Sequence, residues 1–118
     1  MSENQPFEPI FTSREKNELR GAHFSRHRFV GVDLADADLR GALFEDVVFE
    51  RCNLTGADLR DAHFIRCELV EVVMADIALR DCRFDGTSLR GVIGLSDERR
   101  LAIVRQGGLV QPLRASLR

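Results

Sequence analysis

Between Leu19 and Gly91 the chain repeats every five residues without a break, and nothing else in it narrows the fold so far. A large apolar residue stands at each fifth position, running Leu19, Phe24, Phe29, Leu34 and onward through Met74 to Leu89. Two residues before most of these comes a small or β-branched one, as at Ala22, Val32, Ala37, Cys52, Val72 and Thr87. Such self-similarity outranks local propensity, because a repeat decides the whole architecture.

A period of five fits neither the 3.6 of an amphipathic helix nor the 2 of a simple strand. Within one unit, however, the small and large residues are two apart, so both can point inward as in a strand. The three residues before the next small one then lie outside and turn a corner. A longer period counts the corners. Leu-Arg-Gly-Ala-His-Phe at 19–24 returns as Leu-Arg-Gly-Ala-Leu-Phe at 39–44, Leu-Arg-Asp-Ala-His-Phe at 59–64 and Leu-Arg-Asp-Cys-Arg-Phe at 79–84, so that Phe24, Phe44, Phe64 and Phe84 are twenty apart. Twenty is four fives. The chain therefore reads as a square coil of four faces, stacking like on like. With strands about 4.7–4.9 Å apart, nearly four coils make a stub roughly 18 Å long.

These units closely resemble the pentapeptide-repeat family, whose pattern is roughly Ala-(Asp/Asn)-Leu-X-X. Ala37-Asp38-Leu39-Arg40-Gly41, Cys52-Asn53-Leu54-Thr55-Gly56 and Ala57-Asp58-Leu59-Arg60-Asp61 carry the likeness. The resemblance implies an all-β fold, a right-handed quadrilateral β-helix, with a short C-terminal helix added by the sequence that follows. Departures are few. Asn17, His27 and Ile77 stand where a small residue is expected, and Gly94 where the next Leu or Phe would fall.

Three segments result. Residues 1–16 lack the period; Phe7, Ile10 and Phe11 either fold over the open end as a cap, which solenoids need, or belong to a tail that packs on nothing. Residues 17–94 form the β-helix. In 95–118, Ser96 reads as an N-cap with Asp97 and Glu98 favourable in the first turn. Leu101 and Val104, with Ala102 nearby, would line one side of that helix, and Gly107-Gly108 would stop it. The helix should plug the end of the coil. Leu109, Val110, Leu113 and Leu117 then make a tail too apolar for a solvated linker, suited to packing on its own domain or on a second copy.

At 118 residues and 44% hydrophobic content, one domain is expected. The net charge of −2 points to neither nucleic acid nor a membrane surface. It is split as −1 over 1–16, −4 over 17–92 and +3 over 97–118, an acidic rod with a basic tail. The N-terminus has no basic start followed by an apolar core, so no secretory signal is read, and no apolar run reaches membrane-spanning length. The expected compartment is the cytoplasm.

The titratable candidates mostly read as structural. Cys52, Cys67 and Cys82 take inward small positions, and their spacing of fifteen puts them on different faces, against disulfides or a metal site. His23 and His63 share an outward row but have Leu43 between them. His27 falls inward in the first coil, where a hydrogen-bonded, partly exposed imidazole is expected. Arg20, Arg40, Arg60 and Arg80 form an outward column that alone suggests an anion site. Glu18, Asp38, Asp58, Asp61 and Asp81 flank it, favouring an exposed ion-pair network. The outward apolar residues Val30, Leu43, Val48, Ile65, Val70 and Val73 fall mostly on two adjacent faces and mark a candidate protein contact.

No Gly-rich phosphate loop, metal-spaced Cys/His set or nucleophile-base pair occurs at a recognisable spacing. No catalytic residue, cofactor or metal is therefore assigned. The leading reading is a non-enzymatic scaffold or interaction module with a protein partner, with no direct nucleic-acid or membrane contact expected, and able to form a homodimer through its C-terminal segment or an apolar face. The alternative follows from the resemblance: some pentapeptide-repeat proteins imitate a DNA duplex, bind DNA gyrase and are associated with fluoroquinolone resistance. Those are longer, more acidic rods that dimerise through a C-terminal helix.

Overall fold

Every fifth residue from Gly21 to Gly91 turns the backbone through a positive φ of 52° to 73°, and nine of these corner residues are not glycine. Left-handed backbone costs an ordinary L-residue roughly 1–2 kcal/mol, so so regular a series persists only where packing on both sides imposes it. The computed structural model describes residues 12–111. Their path is a right-handed quadrilateral β-helix, with α1 (Ser13–Lys16) before it and α2 (Asp97–Arg105) after it.

Two adjacent faces carry strands. The face built on Phe24, Phe44 and Phe64 is a parallel three-stranded sheet of β1 (His23–Ser25), β3 (Leu43–Glu45) and β5 (His63–Ile65). The next face stacks β2 (Arg28–Val30), β4 (Val48–Glu50), β6 (Glu68–Val70) and β7 (Ser88–Arg90), and β8 (Leu109–Gln111) extends it. Register is in step throughout, with Phe24 on Phe44, Phe44 on Phe64, and Phe29 on Phe49. The other two faces, built on Leu34, Leu54, Met74 and on Leu39, Leu59, Leu79, are joined by single bridges such as Asp33 to Asn53 and Asp38 to Asp58.

Local chemistry explains much of the difference. On the Leu faces the residue before Leu is Asp or Asn, and its Oδ1 accepts the N–H two residues on: Asp33 from Ala35, Asp38 from Arg40, Asn53 from Thr55, Asp58 from Arg60. These Asx turns bend the chain at once. On the Phe faces that position holds His23, Arg28, Leu43, Val48, His63 or Glu68, and three residues remain extended. The bent form continues through Val73 and Ala78, which lack the acceptor, and there as on the other faces each coil hydrogen-bonds to the one before: Val73 N–H donates to Cys52 O and Ala78 N–H to Ala57 O.

The core is one apolar column. The Phe24, Phe44, Phe64 and Phe84 rings stack with centroids 5.5, 4.9 and 5.1 Å apart, close to the strand spacing. Ile77 packs inward at a small-residue position, 1% exposed. Thr87 does so too, donating its hydroxyl to Phe64 O (2.8 Å) and accepting from Cys67 N–H (3.1 Å). Gly94 ends the pattern, since a Cβ there would lie 2.9 Å from the Ala75 Cβ.

Both ends differ from the repeat. At the first, Thr12-Ser-Arg-Glu15 forms a capping box: Thr12 Oγ1 accepts from Glu15 N–H, and Thr12 N–H donates to Glu15 Oε1. Asn17 closes this short helix as its C-cap rather than entering the core. At the other end α2 docks through a different side from the one expected. Leu101 and Val104 are 49% and 50% exposed, whereas Ile103 is fully buried. The docking side is Arg99, Ile103 and Gln106, at helical spacing. Arg99 Nε donates to Ile77 O (2.8 Å) and Gln106 Nε2 to Leu79 O (3.2 Å). Those carbonyls face the end of the coil with no further coil to satisfy them, so polar donors outcompete Leu and Val for contact with it. Gly107, at φ +101°, ends the helix as expected, and the chain returns as β8. Leu109–Gln111 thus packs on its own domain, with Val110 against the core. The expected roles of Phe7, Ile10, Phe11, Leu113 and Leu117 lie outside the described residues.

Candidate interaction surface

The six outward apolar residues are all half-buried. Leu43 and Ile65 lie on the three-stranded sheet, Val30, Val48 and Val70 on the five-stranded one, and Val73 on the adjoining Leu face. Register does not merge them into one strip. Leu43 lies between His23 and His63, Val48 between Arg28 and Glu68, and Val70 between Glu50 and Arg90. Apolar and polar side chains thus alternate along these columns. Val73 instead pairs with another apolar residue, Ile93.

The most exposed large apolar residues lie elsewhere. Ile93, Leu101, Val104 and Leu109 are 49–56% exposed, and all follow the regular repeat. β8 ends its sheet, with no described strand on its far side. The sequence names Leu109 in an apolar tail but places Leu101 and Val104 on the docking side of the helix; the hydrogen-bonding reach of Arg99 and Gln106 is the signal that turns the helix the other way.

The charged columns are neutralised internally. Arg40 reaches Asp38 at 2.8 Å and Asp58 at 3.8 Å, and Arg60 reaches Asp58 at 2.6 Å. The hydrogen bond from Arg40 is the main cause that holds the Asp38 carboxyl down at about 2, and that from Arg60 lowers Asp58. Arg40 and Arg60 thus make the part of the expected network that runs through Asp38 and Asp58, whereas Glu18 pairs with Arg14. Ala78 stands beside Arg80 where the earlier members have an acid. On the Phe faces the pairs join successive coils: His23 to Glu45 (2.9 Å), Arg28 to Glu50 (2.6 Å) and Arg66 to Asp46 (3.0 Å).

Cys52, Cys67 and Cys82 are buried free thiols. Burial pushes all three up, Cys67 to about 11, which makes them poor nucleophiles. Cys52 and Cys67 donate to Phe29 O and Phe44 O, at 3.3 and 3.2 Å, as Thr87 does to Phe64 O. His27 is half-buried, with Nδ1 3.0 Å from Ser25 O and its ring stacked on Phe29. Leu43 separates His23 from His63, and among the described residues no three Cys, His, Asp or Glu side chains gather as a metal site. No helix among them is long and apolar enough to cross a membrane.

Comparison with known families agrees with this geometry. Two family models, both for pentapeptide repeats, match residues 18–64 and 49–93. The chain belongs to the pentapeptide-repeat family. Among solved structures it is similar to full-length QnrB1, a plasmid-mediated fluoroquinolone resistance protein, with 28% identity and a TM-score of 0.50. That match covers 72% of this chain and 43% of QnrB1, so the chain spans under half of that protein. The pentapeptide repeat protein Rfr23 from the cyanobacterium Cyanothece 51142 matches with 14% identity and a TM-score of 0.38, over 62% of this chain and 64% of Rfr23. A pentapeptide repeat protein from the Arabidopsis thaliana thylakoid lumen matches with 20% identity and a TM-score of 0.33, over 80% and 79%. No curated protein matches.

Proposed function

We propose that this chain is a non-enzymatic, cytoplasmic interaction module that presents flat sheet faces to a protein partner and uses its C-terminal end to pair with a second copy. One observation carries the reading. Val30, Leu43, Val48, Ile65, Val70 and Val73 point away from a core already filled by the Phe and Leu columns, so folding does not require them to be apolar. Interspersed with polar neighbours, they give a mixed apolar and polar face, the composition of a non-obligate protein contact. Ile93, Leu101, Val104 and Leu109, exposed towards the C-terminal end where β8 is the last described strand of its sheet, support self-association.

Solution mass by light scattering tests the pairing. The full chain should be a dimer, and Val104→Asp or Leu109→Asp should give a folded monomer. Ile65→Asp should leave fold and mass intact while weakening the partner contact. A wild-type monomer at every concentration would remove the pairing.

A second reading is favoured by the likeness to QnrB1: a duplex-like rod that binds DNA gyrase. Pairing end to end would double the rod's length, which this reading needs. The net charge of −2 gives it little electrostatic resemblance to DNA. A gyrase supercoiling assay with a fluoroquinolone decides it; protection of supercoiling supports this reading, and unchanged inhibition sinks it.

A further inference from the structure

We propose that the last unit of the arginine column, Ala78-Leu79-Arg80, is a binding site for a carboxylate, of the kind that an aspartate or glutamate side chain of a protein partner carries. Two filled copies of the same site precede it in the column. Arg40 holds the Asp38 carboxylate with three donors: its backbone N–H (3.3 Å), Nε (2.8 Å) and Nη2 (2.8 Å). Arg60 holds Asp58 in the same way, at 3.2, 2.8 and 2.6 Å. A guanidinium fork set against both oxygens is the geometry in which Arg recognises carboxylates.

The third copy keeps the donors and lacks the carboxylate. Its backbone runs on in register: Asp58 bridges to Ala78, Ala78 N–H donates to Ala57 O (3.1 Å), Leu59 N–H to Ala78 O (2.9 Å) and Asp61 N–H to Arg80 O (3.1 Å). Arg80 N–H therefore stands where Arg40 and Arg60 present theirs. Ala78, however, ends at Cβ where Asp38 and Asp58 carry a carboxylate. Arg80 is exposed. Among the described residues its N–H and guanidinium meet no acceptor, not even Asp76 or Asp81 at the flanking corners. The truncation removes the acceptor alone, so an external carboxylate meets donors the repeat has already arranged.

The surroundings suit an acidic group carried on a protein. α2 lies against this end through Arg99 Nε on Ile77 O and Gln106 Nε2 on Leu79 O, the two residues beside Ala78. Arg99 thus brings a second guanidinium to the same end, and Leu101 and Val104 of that helix add exposed apolar surface. Apolar contact bordered by polar anchors is the anatomy of a protein interface. That the carboxylate belongs to a partner rests on the interaction-module reading; the site itself can be filled by a small anion.

The test is to titrate acetate into the full chain at constant ionic strength, following the Arg80 backbone amide and Nε by ¹⁵N NMR. Both signals should move and saturate, and Arg80→Gln should weaken binding ~5-fold or more. Ala78→Asp rebuilds the arrangement of Asp38 and Asp58, so it should abolish the response while leaving fold and mass unchanged. No movement at Arg80, or an equal response in wild type and Ala78→Asp, overturns the site. Methanesulfonate, a tetrahedral anion of the same charge, should bind more weakly than acetate; equal or tighter binding overturns the assignment to a planar carboxylate. None of these outcomes alters the dimer mass or the effect of Ile65→Asp, so this site and the interaction module fail separately.

Discussion

The Phe faces and the Leu faces of this coil share a core, a rise and a period, yet they are held by different means. On the Phe faces, cohesion runs between coils: three-residue ladders, stacked rings, and ion pairs such as Arg28 with Glu50 and Arg66 with Asp46. Buried hydroxyl and thiol donors add links to carbonyls of the coil before. On the Leu faces, much of the side-chain bonding stays inside one unit, as Asp38 with Arg40 and Asp58 with Arg60. The lesson is one of division among side chains: backbone bonds join coils on every face, but on the Leu faces the side chains mainly shape each turn, and on the Phe faces they also bind turn to turn. Changes on the Phe side should therefore cost the most global stability.

The largest expected effect is at Phe64, fully buried and stacked between Phe44 and Phe84 at 4.9 and 5.1 Å. Phe64→Ala should destabilise by about 3–5 kcal/mol, read from the denaturant midpoint at unchanged slope. A shift near zero would break the claim that this column carries cohesion between coils.

Thr87 sharpens the same side at smaller cost. Thr87→Val keeps the shape but strips Cys67 N–H and Phe64 O of their partner, a loss of about 1–3 kcal/mol. Thr87→Cys should recover part of it, because Cys52 and Cys67 already make the equivalent bond through sulfur. If both variants matched wild type in chemical denaturation, the buried donors would be fillers and not links.

How much of this was legible varies with how local the cause is. The five-residue period fixes which residues face inward, because the same pairing of small and large recurs at every corner; even Ile77 and Thr87 obey it. The Arg column was readable with its acids, since both lie one residue either side of an inward Leu. The division between strand and bent faces was written in Asp33, Asp38, Asn53 and Asp58, but only as an Asx hydrogen bond that periodicity does not count. The capping box at Thr12 and Glu15 was equally explicit and was hidden by the search for fives. The side on which α2 docks was not readable from hydropathy at all. It depends on open carbonyls of Ile77 and Leu79, which exist only once the coil has been built. The candidate surface is the least legible part, since alternation of Leu43 with His23 and His63 emerges from register between coils twenty residues apart.

The smallest effect tests the Leu side. Asp38 titrates at about 2 when folded, against an ordinary 3.8, chiefly through its hydrogen bond from Arg40. The sign follows from linkage: a folded value below the unfolded one stabilises fully above about 3.8 and is lost as pH falls through about 2. Asp38→Asn keeps the Oδ1 that accepts the Arg40 N–H, hence the turn, and removes the charge together with the Oδ2 that accepts from Arg40 Nη2. Its urea midpoint should sit slightly below that of wild type at pH 7, and the gap should close between pH 4 and pH 2. Because the pair is partly solvated, the gap should also shrink in high salt. A gap that persists undiminished at pH 2 would mean that the substitution had disturbed the turn itself and not only the ion pair.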